Sequence, residues 1–382
     1  MPTPQIRADH VGSLLRPADL WAEMQRIYEP GHTALLAEER AKDLDRLHEL
    51  QDRAVADVVA RQVAIGLDAI SDGELRRYMF TGSFYDSVDG IAPDPGGVTF
   101  YDDDGNSYRY DSVPRIVGRL AQIDSPLVRE TRSVRSLTDR LVKVTIPAAS
   151  FFVLPFVFHN GQTELVYSTR EELLDDVIGI LRAQVSEAIA AGAGYIQFDF
   201  PLYPMLVDQQ YTDIFNGMGL STAQLLDECI AADQRVVEGI IPDGVVAGMH
   251  MCRGNWKSRW FARGSLEPIA ERMFNELPYD TFLVEWEDTE REGGFEPIRF
   301  VPKGKTVAMG VVSTKRREVE EVDDLVRTIE GAAAHLDLSQ LAICPQCGFA
   351  SAAEGNDDLD EEIQWRKLER MVEAARRLWP AG

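Results

Sequence analysis

Strand-like and helical stretches alternate along almost the whole chain, and that alternation limits the fold more than any other feature. Apolar runs of strand character fall at residues 10–14, 69–74, 142–150, 195–201, 245–252, 281–287, 306–313 and 341–348. Helical periodicity occupies 36–62, 170–191, 222–239, 266–275 and 319–336, and a last helix spans 361–378. Strands that alternate with helices build parallel βα units, since each helix carries the chain back to start the next strand. Eight such units predict an α/β chain closed as a (β/α)8 TIM barrel over residues 1–382. A doubly wound open sheet is the alternative, but no Gly-x-Gly-x-x-Gly follows the first strand-like run. A chain of 382 residues is long enough to bury so large a core.

Two segments break the alternation. Residues 80–115 carry Phe100-Tyr-Asp-Asp-Asp104-Gly105-Asn-Ser-Tyr108, in which Asp-Gly between aromatic runs reads as a hairpin turn. This predicts a hairpin insertion after the second barrel strand, serving as a lid or a subunit contact. Residues 286–302 form a polar loop that includes Gly293-Gly294.

The net charge of −24 argues against nucleic acid and anionic membrane as partners. No apolar run is long enough for a transmembrane helix, and the first residues lack an apolar signal core. Four cysteines are too few to form a disulfide framework in a chain of this length. A reducing cytoplasm is the expected compartment, where clustered cysteines bind metal or do chemistry.

In a barrel, catalytic groups collect at the C-terminal ends of the strands. The polar residues here fall at those ends: Ser13, Asp72 and Glu74, Asp199, His250 and Cys252, Glu285, Ser313 and Lys315, and Cys347. His250 and Cys252 are two residues apart, so one strand face offers a nitrogen and a sulfur ligand together. Added to Glu285 and Cys347, they make a tetrahedral set that Zn2+ accepts. Taken singly, a buried Cys is usually packing and a His a hydrogen-bonded core residue. Their common placement favours the metal. Cys344 and Cys347 could also be a redox pair or half of a zinc knuckle. A knuckle needs a second Cys pair, which Cys229 and Cys252 do not form, and a redox pair normally opens a helix. Cys344 is therefore expected to be packed or to stand behind the ligands.

These residues resemble the catalytic barrel of the cobalamin-independent methionine synthase family. His10-Val-Gly-Ser13-Leu-Leu-Arg-Pro17 is similar to the family's Ile-Gly-Ser-Phe-Pro segment, and Asp72-Gly-Glu74 to its His-Gly-Glu. Ile196-Gln-Phe-Asp199-Phe-Pro201 is similar to Ile-Gln-x-Asp-Glu-Pro, His250-Met-Cys252 to His-x-Cys, and Pro345-Gln-Cys347-Gly348 to Pro-Asp-Cys-Gly. The resemblance implies zinc held by His250, Cys252, Glu285 and Cys347, with Glu287 as a neighbouring alternative to Glu285. It implies that Ser13, Glu74 and Asp199 contact homocysteine, and that a methylated folate or similar donor methylates the thiol to give methionine. A zinc-held thiol ionises at neutral pH, and two carboxylates suit an amino acid's ammonium group.

The chain departs from the family at several points. Phe200 replaces a Glu, and Lys315 stands where the family has a proton-donating His. Lys315 is accordingly the first candidate proton donor and His10 the second, while a solvated Lys beside Arg316 and Arg317 is the plainer reading. The family's second, N-terminal barrel is absent from this sequence. Other zinc-dependent thiol alkylations stay open, among them epoxide opening by a sulfonated thiol of the coenzyme M type, for which Arg76, Arg77 and Arg253 could bind the sulfonate. A metal-free barrel lyase and a thiol-capturing binding protein are the rivals from other classes. A homo-oligomer is compatible with the sequence.

Overall fold

The computed structural model describes residues 5–94, 98–110, 114–199, 202–356 and 358–380. Eleven strands occur among these residues. They are β1 (Ala69–Ile70), β2 (Val88–Ala92), β3 (Val98–Tyr101), β4 (Ser107–Tyr110), β5 (Arg115–Gln122), β6 (Leu141–Pro147), β7 (Tyr195–Asp199), β8 (Val246–Met251), β9 (Thr281–Glu285), β10 (Thr306–Val312) and β11 (Leu341–Pro345). Seven of them make one curled parallel sheet in the order β1-β6-β7-β8-β9-β10-β11. Strands next to one another in this sheet are also next in chain order, apart from the antiparallel strands that intervene between β1 and β6. Every residue of β7, β8, β9 and β11 is buried. Unbroken apolar runs suit strands that are covered on both faces.

Helices with clear sequence punctuation cross between these strands. Arg170–Ala191 opens where the Thr169 side chain accepts from the Glu172 N–H, and it stops at the left-handed Gly192. Thr222–Val237 opens with a capping box between Ser221 and Gln224. The expected helix 36–62 is instead two, Ala37–Arg40 and Asp45–Ile65. The buried Glu39 carboxylate accepts from the Glu29 and Leu36 N–H groups, which ties the first piece to the chain before it. Helices Ala18–Ile27 and Pro126–Leu137 were not anticipated from periodicity, although both bury one apolar stripe.

The first strand-like run is also corrected. Residues 10–14 form no strand. Pairing occurs earlier, where Asp9 N–H donates to Ile343 O at 3.0 Å, Ile343 N–H to Arg7 O at 2.9 Å, and Asp68 N–H to Ala8 O at 3.2 Å. The segment from Val11 onward then bends over the strand ends, and Leu14 N–H donates to Gly73 O at 2.9 Å. Its apolar residues mark burial, and burial does not require an extended ladder.

Between β1 and β6, β2 pairs antiparallel with β5, and β3 with β4. Tyr101 and Trp260 exchange backbone hydrogen bonds of 2.6 and 2.9 Å, which fastens β3 to the loop after β8. No described helix is long and apolar enough to cross a membrane.

Candidate metal centre and its cavity

Strand register sets out the first groups. Asp199 at the end of β7 pairs with His250 on β8, so a carboxylate and an imidazole leave the sheet side by side. Cys252 follows β8 and Cys347 follows β11 by two residues. The ligand atoms of His250, Cys252 and Cys347 lie within 4.8 Å of one another, and all three residues are buried. Neither ring nitrogen of His250 has a well-formed hydrogen bond among the described residues. The Cys347 thiol lies close enough to interact with it, and with Asp199 and Glu285 it outweighs burial to raise the imidazole's pKa. Cys347 is drawn well down by the Cys252 thiol and by His250, against burial, whereas Cys252 is pushed well up by Cys347 and burial. Three ligand atoms thus converge in one buried spot, where the imidazole nitrogens keep no well-formed hydrogen bond among the described residues. Buried thiols and an imidazole converging in this way suit a zinc ion, and three protein ligands leave the fourth position exchangeable.

Cys344 stands apart from this group. It packs with Val11, Leu283, Ala308 and Ala342, and its thiol donates to Ala308 O at 3.5 Å.

Glu285 lies beside the three-residue group without forming part of it. Its carboxylate accepts from the Arg253 N–H at 2.5 Å and from Lys315 Nζ at 2.8 Å. Lys315 Nζ also lies 3.3 Å from Glu287, and Arg291 reaches both carboxylates. Lys315 is thus buried between acids and is not the solvated lysine of the plainer reading. Burial works against its charge, yet Glu285 and Glu287 prevail and raise its pKa.

Glu74 reaches the cavity through an unusual turn. Gly73 and Glu74 both adopt left-handed backbone, with φ of 71° and 55°. A non-glycine residue seldom takes that conformation, and it persists only where its surroundings hold it. Here Asp72 Oδ1 accepts from the Glu74 N–H at 2.8 Å, and the Arg16 guanidinium donates to Glu74 O at 2.8 Å. Thr145 donates to Glu74 Oε1 at 2.7 Å, while Oε2 has no partner among the described residues. Gly12 lies against this carboxylate, where a Cβ would come within 2.8 Å of Oε1. Burial and the nearby Glu74 push Asp199 up to about 8, although His250 and Gln197 pull the other way. Ser13 meets the chain after Cys347 so closely that a Cβ on Gly348 would lie 1.9 Å from its Oγ.

One narrow cavity of about 70 Å³ joins these groups. Ser13, Glu74, Asp199, His250, Cys252 and Cys347 all line it. Glu285, Lys315 and His10 are not in its lining. Phe200 lies outside the described residues. Sequence reasoning missed Asn255, Trp256, Met79 and Phe100 in the wall. Asn255 and Trp256 follow Cys252 within four residues, a proximity that could have marked them. Phe100 comes from β3, far away in sequence, and carries no such mark.

His10 is buried below the site, near Gln62 and the Ala69 backbone, and burial with Lys143 holds its imidazole down at about 4. It is neutral at pH 7. Unfolded, the ring would bind a proton below about 6.5, so the folded state loses stability as pH falls from there towards 4, by up to roughly 3 kcal/mol. His10→Phe is expected to flatten that part of the profile in urea unfolding at pH 7 and pH 4.5. Parallel losses in both proteins would show that His10 is not the source.

The sequence profile described as "Cobalamin-independent synthase, Catalytic domain" matches residues 33–377. The chain is 30% identical to YxjG of Bacillus subtilis, an uncharacterized protein, over 98% of this chain and 95% of that one. It is 25% identical to the methionine synthase of Pyrococcus abyssi, over 98% and 94%. A solved structure of a B12-independent methionine synthase from Shewanella sp. W3-18-1, in complex with selenomethionine, superposes with a TM-score of 0.69 at 21% identity, covering 98% of both chains. The parallel sheet, the cavity at its strand ends and the match across most of the chain agree: this protein belongs to the cobalamin-independent synthase family and carries its catalytic domain.

Proposed function

We propose that this chain is a zinc-dependent S-methyltransferase that methylates homocysteine to methionine, with a methylated folate or a similar compound as donor. The observation that carries the reading is one cavity lined by both a sulfur-nitrogen ligand group and two buried carboxylates. His250, Cys252 and Cys347 would hold the zinc, and Glu285 is the candidate for a further ligand. Zinc bound there would keep the substrate sulfur ionised at neutral pH. Glu74 and Asp199 would take the ammonium group, which offsets the burial and the Glu74 charge that together raise Asp199, and gives Glu74 Oε2 a partner. Ser13 would position the amino acid between them. The methyl carbon forms its bond to sulfur as its bond to the donor breaks, and the electron pair leaves with the donor. Phe100 and Trp256 would cover the site and exclude water, which makes a lid the better reading of the 80–115 insertion.

A sulfonated thiol is less well supported. Arg77 is held by Glu130 and Thr145, Arg76 by Asp52 and Ser133, and neither they nor Arg253 line the cavity. Residues 7–9, bonded on both sides, would supply the eighth strand position of a single (β/α)8 barrel. A reducing cytoplasm suits the free thiols.

Asp199→Asn tests the ammonium contact. It is expected to weaken homocysteine binding by ~1.5–3 kcal/mol, the scale of a hydrogen bond to a charged group. A thiol without an amine, such as 2-mercaptoethanol, should be affected far less. Calorimetric titration of the zinc-loaded protein with both thiols is the measurement, and equal losses would remove the case for an amino acid.

A further inference from the structure

Asn255 is a cavity residue whose direction is fixed by a chain of polar contacts. Gln346 Oε1 accepts from the Thr314 N–H at 3.2 Å, so that atom must be the amide oxygen. The Thr314 hydroxyl therefore donates its proton to Gln346 Oε1, and its oxygen is left to accept. Asn255 Nδ2 donates to Thr314 Oγ1 at 2.7 Å and to Gly348 O at 3.0 Å. A backbone carbonyl can only accept, so turning the amide over would set oxygen against oxygen. Asn255 Oδ1 is consequently an obligate acceptor. It is buried and has no partner among the described residues, in a side chain that lines the cavity beside Cys252 and Trp256.

A buried amide oxygen without a donor costs free energy unless something supplies one. We propose that Asn255 Oδ1 is a specificity-determining acceptor for the second substrate, and that the methyl donor presents an N–H or O–H group to it. Rested on the functional reading above, the assignment goes to the methyl donor because the amino acid's ammonium already has Glu74 and Asp199. Oδ1 then selects donors that carry such a hydrogen over those that do not. The contact is lost when the amide is lost, together with the Nδ2 bonds to Thr314 Oγ1 and Gly348 O.

The test uses the full chain loaded with zinc and homocysteine. Binding of a methyltetrahydropteroylglutamate, which bears N–H groups, is measured by calorimetry in wild type, Asn255→Leu and Asn255→Ser. Both variants are expected to bind it about 10-fold to 100-fold more weakly, a larger loss than either shows for homocysteine, with zinc content checked in each. Should Asn255→Leu fail to fold, the smaller Asn255→Ser carries the comparison. Methyl transfer from trimethylsulfonium, which has no hydrogen-bond donor, is followed in parallel, and both variants should lose less with it than with the N–H-bearing probe. Unchanged binding of the N–H-bearing probe in the variants, or weakened homocysteine binding instead, overturns the proposal. So does a wild type that does not bind that probe. Methyl transfer from trimethylsulfonium to homocysteine would in that case leave the functional reading standing, and its absence would count against that reading alone.

Discussion

Cys252→Ser and Cys347→Ser are each expected to lose bound zinc and with it thiol alkylation, while Cys344→Ser keeps both. The three cysteines are all buried, so burial alone does not separate them. Position does. Cys252 and Cys347 share one group with His250, whereas Cys344 packs among Val11, Leu283, Ala308 and Ala342 and bonds a backbone carbonyl. Changing a residue that merely orients a ligand costs about 10–100-fold in metal affinity, so loss of a ligand should cost on the order of 100-fold or more. A hydroxyl also cannot supply the soft anionic donor that thiolate gives. Elemental analysis after dialysis, together with methyl transfer to homocysteine, decides the matter. Zinc lost from Cys344→Ser and kept by Cys347→Ser would reverse the ligand assignment.

Lys315→Met is expected to lower folding stability by about 3–5 kcal/mol, the usual cost of leaving a buried charge without its partner. Lys315 Nζ lies 2.8 Å from Glu285 and 3.3 Å from Glu287, and both acids are almost fully buried. Arg291 also reaches the two acids, at 3.5 and 2.9 Å, which places the loss towards the lower end. Adding Glu287→Gln should recover part of it, because one uncompensated charge is then removed. Denaturant unfolding of the single and double variants gives the answer. This expectation differs from the proton-donor role that the resemblance suggested. A donor must come within hydrogen-bond reach of the atom it serves, and its acidity should lie near the working pH. Lys315 is outside the cavity lining and its pKa is raised. A Lys315→Met protein of wild-type stability but slow turnover would restore the proton-donor role.

The sequence by itself determined the alternation of strands and helices, hence a parallel sheet with its polar groups at the strand ends. It also marked His250 with Cys252, since a two-residue spacing on a strand fixes a common face whatever the rest of the chain does. Cys347, Glu74 and Asp199 could be named because local motifs tie them to particular strand ends, Ser13 looked like the end of a strand that does not form, and the cavity gathers all four. Tertiary structure decided what depends on distant partners. Glu285 looked like a ligand by strand position, and the structure sets it beside the three-residue group, where Lys315 Nζ and the Arg253 N–H, from the segments after β10 and β8, reach its carboxylate. His10 looked like a site residue by its place in an apolar run, but that run bends after Asp9 and carries the imidazole below the site. Phe100 enters the cavity wall from a hairpin more than 150 residues away from Cys252, docked through Tyr101 on Trp260. Asn255 is equally plain as a residue type, and only the Gly348 carbonyl and the Thr314–Gln346 pair give its amide a direction. Spacing along a strand fixes which face a side chain takes, whereas charge partners and hydrogen-bond polarity are fixed only when separate strands and loops meet.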